Sequence, residues 1–115
     1  MGNELLRLEV ADHPSDKRVV QASGEIDTMT APLLSAYLHD QLVDAQTLIL
    51  DLSGVDFLGS AGLAVLVEIK KTSDAEARTF RLVCGSRVVT RALQATGLDE
   101  LFDIAASVPA ALQGG

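Results

Sequence analysis

Apolar and polar positions alternate along this chain in blocks of two different periods, and the blocks succeed one another in a fixed order. Leu5 to Ala11 alternates imperfectly and predicts a strand, with Asp12 to Lys17 as the turn after it. Arg18 to Ser23 predicts a second strand, ended by Gly24, and Glu25 to Thr30 a polar loop. Leu34, Tyr37, Leu38, Gln41 and Leu42 then recur at helical spacing, so an amphipathic helix is expected to about Asp44. Thr30 and Asp27 are rival caps for it, and Pro32 suits a first turn, where N–H groups have no internal partner.

Thr47 to Leu52 is a short apolar run bounded by polar residues, as expected of a strand covered on both faces. A loop and a second helix follow. The helix is expected to open at Ser60 as its N-cap and to end near Thr72, with Lys70 and Lys71 at its electronegative end. Thr79 to Cys84 predicts a fourth strand. Ser86 to Ala95 predicts a helix stopped by Gly97, with Val88, Val89, Ala92 and Leu93 inward. Phe102 to Ala105 reads as a short edge strand and Val108 to Leu112 as a final helical turn or two. Strands that alternate with helices imply a mostly parallel sheet, and the opening pair of strands adds an antiparallel edge. The fold class is α/β: a mixed, mostly parallel sheet of four or five strands, partly covered by about four helices.

Composition narrows the function. A chain of 115 residues with 48% apolar and 22% charged residues forms one globular domain, assigned here to residues 1–115. Its net charge is −7 and only 3% of it is aromatic, which disfavours nucleic acid and anionic membrane as partners. A protein with a basic contact region is the easier partner. Cys84 is alone, which excludes an internal disulfide and any paired-cysteine metal site, and its place in an apolar run reads as a small buried hydrophobe. No run approaches the roughly 20 apolar residues of a membrane span, and the first ten residues lack a signal-peptide core. A cytoplasmic location is expected, with neither metal nor cofactor.

The chemistry concentrates at Ser60. A helix-capping hydroxyl stands beside free backbone N–H groups, which suits a residue that carries or meets a phosphate. Read structurally, Ser60 is simply a cap. The two readings are compatible, because negative charge beside a helix N-terminus is favoured by roughly 0.3–1 kcal/mol. Ala61 to Val67 has no polar side chain. Either a neighbouring helix covers that face, or Gly59, Ala61, Gly62 and Ala64 form a small-residue docking patch near Ser60. Asp27 is explained most cheaply as a cap or turn residue. In a parallel sheet its loop and the loop before Ser60 lie at the same end.

Gly24-Glu25-Ile26-Asp27, paired with Asp51 to Lys71 (DLSGVDFLGSAGLAVLVEIKK), resembles the STAS-domain anti-sigma factor antagonists. The resemblance spans essentially the whole chain and implies the same mixed sheet. It implies phosphorylation of Ser60 by a partner that is both an anti-sigma factor and a GHKL-type serine kinase. A PP2C-type phosphatase would reset the protein, and the unmodified form would release a sigma factor for transcription, as in stress responses. It also implies that Asp27 helps form the partner surface. Family members often carry Asp before this serine and a second hydroxyl after it, where this chain has Gly59 and Ala61. The alternative is a STAS module that binds a nucleotide or other anion, or serves a sensory or transport assembly. Enzyme chemistry is not expected. The Gly-x-Ser-x-Gly elbow of serine hydrolases fails at Leu58, and His13 and His39, the only candidate bases, sit in surface-like sequence.

Overall fold

The computed structural model describes residues 5–113. Its elements run β1 (Leu6–His13), β2 (Lys17–Ile26), α1 (Ala31–Leu42), β3 (Thr47–Leu58), α2 (Ser60–Ala75), β4 (Thr79–Val83), α3 (Arg87–Thr96), a 3-10 turn (Leu98–Glu100), β5 (Asp103–Ala105) and α4 (Val108–Gln113). The five strands form one sheet in sequence order, β1-β2-β3-β4-β5. β1 pairs antiparallel with β2, and every other pair is parallel.

Residue parity sorts the strands onto two faces. Val20, Ala22, Leu48, Leu50 and Leu82 point to the side covered by α1, α2 and α3, and form the main core with Leu34, Leu38, Leu66, Ile69, Val89 and Leu93. Val19, Ile49 and Val83 point the other way and pack, among the described residues, with Ala111, Val108 and Leu112 of α4 and Ala105 of β5. The buried Arg81 holds that short helix in place, donating to the Ala111 carbonyl (2.9 Å) and pairing with Asp103 (2.9 Å). At the opposite corner Arg18 ties the β1–β2 turn to the end of α1. It pairs with Asp12 (2.6 Å) and Asp44 (2.7 Å), and its hydrogen bond holds the Asp44 carboxyl below its ordinary range.

Two boundaries depart from expectation, and both shape the site. The polar stretches after Ser23 and Leu52 are strand. β2 continues to Ile26 and β3 to Leu58, paired through Ser23 with Gly54, Gly24 with Val55 and Ile26 with Leu58. Register shifts accompany the extension, and Gly24 there has φ of +107°; a Cβ would lie 2.0 Å from the Leu5 carbonyl oxygen, so only glycine fits. β4 pairs only with Thr47 to Asp51, so beyond Asp51 the far halves of β2 and β3 extend past β4 as a ribbon, flanked by β1 along β2 as far as Gly24. The second departure is in α2, which runs on to Ala75, so Lys70 pairs with Asp74 (3.0 Å) instead of meeting the helix end. By contrast α3 has the expected punctuation: Ser86 caps its start and the left-handed Gly97 its end.

Candidate functional site

The ribbon ends in two adjacent connections. Ile26 leads into α1 through Asp27, and Leu58 leads into α2 through Gly59. A single backbone bond joins them, from the N–H of Gly59 to the carbonyl of Ile26 (2.9 Å). Asp27 and Ser60 therefore lie one residue either side of the same contact.

On the first branch Asp27 settles the capping question. Its carboxylate accepts from the N–H groups of Met29 (2.9 Å) and Thr30 (3.1 Å), and its carbonyl accepts from Ala31 (2.8 Å). Thr30 answers: its hydroxyl accepts from the Asp27 N–H and donates to the Glu25 carbonyl, both at 2.9 Å. This reciprocal arrangement is a capping box with threonine in the place of the usual glutamate. Thr30, the other candidate, stands at the N-cap position of α1, but its side chain makes no capping hydrogen bond there. Asp27 is half-buried, so part of its carboxylate stays open to solvent.

On the second branch the expected cap has moved by one residue. Gly59, extended at φ −92° and ψ −178°, occupies the N-cap position, and Ser60 is the first helical residue. The first intrahelical bond is Leu63 N–H to the Gly59 carbonyl (3.1 Å). No side chain caps α2. The opening N–H groups of the helix thus keep their unsatisfied positive ends next to Ser60, which is exposed. Its hydroxyl makes no hydrogen bond among the described residues.

Only some of the small residues around Ser60 lie at the surface. Ser60 and Ala64 are exposed, while Gly59 and Ala61 are half-buried. Gly62 is not part of the surface. A Cβ there would lie 2.5 Å from Ile26 Cγ2 and 2.6 Å from Leu58 Cδ1, so Gly62 lets α2 pack directly on the ribbon. Val65 is buried as well, with Leu63, Leu66 and Ile69. The remaining apolar turn is covered by α1, whose Ser35 and His39 reach Glu68 of α2 (3.4 and 3.2 Å). The neighbouring-helix explanation accounts for most of the apolar run, and a narrow strip of small residues remains outside.

Two functional candidates were not legible in the sequence. Met29 is 80% exposed in the capped turn, and Phe57 is 49% exposed beside Gly59, its ring 3.1 Å from where a Gly59 Cβ would stand. Alternation fails at Phe57 because the ribbon's register shifts put it and Asp56 both outward. Among the described residues no cluster of His, Cys, Asp and Glu suits a metal ion, and no helix is long and apolar enough to cross a membrane.

Comparison with known proteins agrees with this arrangement. The sequence matches the STAS domain over residues 7–111. It is 34% identical over 110 residues to the anti-sigma-F factor antagonist RsfB of Mycobacterium tuberculosis, covering 95% of this chain and 88% of RsfB. The chain belongs to the STAS-domain anti-sigma factor antagonist family. These antagonists are non-enzymatic regulators. The crystal structure of an anti-sigma factor antagonist from Mycobacterium paratuberculosis superposes with a TM-score of 0.84 at 35% identity, covering 93% of this chain and 91% of that one. The fold extends to the phosphorylated form of the Bacillus cell fate determinant SpoIIAA, with a TM-score of 0.69 at 18% identity and coverage of 90% and 96%. At that identity the likeness is one of fold.

Proposed function

We propose that this antagonist is a partner switch whose state is written on Ser60. Unmodified, it binds an anti-sigma factor that is itself a GHKL-type serine kinase and so frees a sigma factor. That kinase phosphorylates Ser60 and the complex comes apart, and a PP2C-type phosphatase restores the binding form. The observation that carries this reading is the exposed Ser60 hydroxyl at an uncapped helix N-terminus. A visiting active site can reach it, and the phosphoserine stays beside N–H groups that favour negative charge.

The energetics suit a switch. Phosphorylation adds about −1.5 to −2 charges at pH 7. Trapping that charge in a docked interface, near Asp27 and on a protein already at −7, costs several kcal/mol. A loss of about 4 kcal/mol lowers affinity roughly a thousandfold. The fold itself is spared, because Ser60 contributes neither a cap nor a core contact. Met29, Phe57 and Ala64 supply apolar area for the partner, and Asp27 supplies charge at its edge.

Incubation with a GHKL-type anti-sigma kinase and labelled ATP, followed by peptide mapping, tests the reading. Label confined to Ser60 and lost in Ser60→Ala supports it. Label on another residue, or none while nucleotide stays bound, favours an anion-binding STAS module instead.

A further inference from the structure

The outer edge of β1 carries no strand among the described residues. The bond from Glu25 N–H to the Leu5 carbonyl (2.8 Å), with Leu6 opposite Gly24, sets the phase of the ladder. Odd-numbered residues of β1 exchange hydrogen bonds with β2, so Leu6, Leu8, Val10 and Asp12 turn their N–H and C=O groups outward. An eight-residue edge of this kind is a template for another strand.

We propose that this edge pairs with the β1 edge of a second copy of the chain, antiparallel about a two-fold axis through Leu8. The register follows from side chains. Pairing Leu8 with Leu8 puts Leu6 opposite Val10 and Arg7 opposite Glu9 of the second copy, twice over by symmetry. Arg7 and Glu9 are both exposed on the open face of the sheet. A shift by two residues in either direction sets Arg7 against Arg7 or Glu9 against Glu9, which like charges disfavour. An odd shift breaks the match of outward-facing groups and of faces.

The helix side is prepared as well. A groove of about 360 Å³ lies between β1 and α1, lined by Leu6, Arg7, Leu8, Glu9, Leu33 and Tyr37. Leu33 is 53% exposed and Val10 43%, unusual for apolar residues flanking a core. In the paired register Val10 of the second copy stands opposite Leu6, at the mouth of this groove. The result is a continuous ten-stranded sheet, from two sheets of five. Ser60 opens α2, past the end of β3, and stays outside the interface, so this proposal goes beyond the switch and does not depend on it.

Sedimentation equilibrium of the full chain from micromolar to millimolar concentration tests it, with circular dichroism as the check on folding. A concentration-dependent dimer is expected. Arg7→Glu and Glu9→Arg should each weaken it about tenfold or more, and the double exchange should restore wild-type association. Leu8→Cys provides a second readout that needs no charge change. The axis brings the two positions to about 5.5 Å between Cα atoms, so oxidation should give a covalent dimer. A chain that stays monomeric throughout overturns the proposal. So does a dimer indifferent to the single exchanges, a double exchange that fails to restore it, or an edge protected only when an anti-sigma partner is added.

Discussion

The amide of Gly59 donates to the carbonyl of Ile26 at 2.9 Å, and that contact holds two loops from distant parts of the chain at a fixed spacing. Asp27 follows one end of the bond and Ser60 the other. The charge that the proposed phosphorylation would add and the charge already present are thus positioned by backbone, not by flexible side chains.

Substitution can separate the capping role of Asp27 from the docking role proposed for it. Asp27→Asn keeps an oxygen that accepts from Met29 and Thr30, so thermal stability should change little. Asp27→Ala removes the cap and should cost about 1 kcal/mol. If the charge contributes to docking, both variants should bind the anti-sigma partner more weakly and to a similar degree. Calorimetric titration beside thermal melts distinguishes this from a purely structural role, in which Asn binds like wild type.

Gly62 and Gly59 should respond in opposite ways. Gly62→Ala drives a methyl to within 2.6 Å of Ile26 and Leu58, and overpacking of this kind costs about 1–3 kcal/mol. Gly59→Asp needs only the Phe57 ring to give by a few tenths of an ångström, and its backbone angles suit any residue. It should fold normally, and an aspartate at the N-cap of α2 should raise stability by a fraction of a kcal/mol to about 1 kcal/mol. Urea unfolding of both variants provides the measurement.

How far the sequence discloses this site depends on which residues act locally. Ser86 and Gly97 punctuate α3 as expected because a cap and a left-handed stop are decided within one turn of chain. The apolar runs of β3 and β4 and the exposed serine were legible for the same reason. Ser53-Gly54 reads as a loop, yet it is strand, because Gly54 lies against Ser23 with only 2.7 Å to spare for a Cβ. That fit belongs to the β2 partner and leaves no local trace. Gly62 likewise reads as a surface glycine until Ile26 and Leu58 are placed beneath it. The N-cap expected at Ser60 falls instead at Gly59, whose N–H bonds back to Ile26.

Cys84 links stability to alkaline pH. Burial raises its thiol above the ordinary value of 9.0, because the thiolate is poorly solvated there. The unfolded chain therefore gives up this proton first. The group's contribution is intact below the unfolded value and is lost as pH rises past about 9 toward the raised folded value. Unfolding free energy should decline across that range, and less so in Cys84→Ala once its own offset is subtracted. Thiol reagents should label the native protein far more slowly than the urea-unfolded chain.

A dianion on Ser60 should end partner binding without disturbing the fold. Titration of the anti-sigma partner with unmodified protein, Ser60→Ala and stoichiometrically phosphorylated protein tests it directly, with melting temperatures recorded on the same samples. Equal affinity is expected for the first two, a loss of roughly a thousandfold for the third, and three similar melting temperatures. Equal affinity for the phosphorylated and unmodified proteins would contradict it.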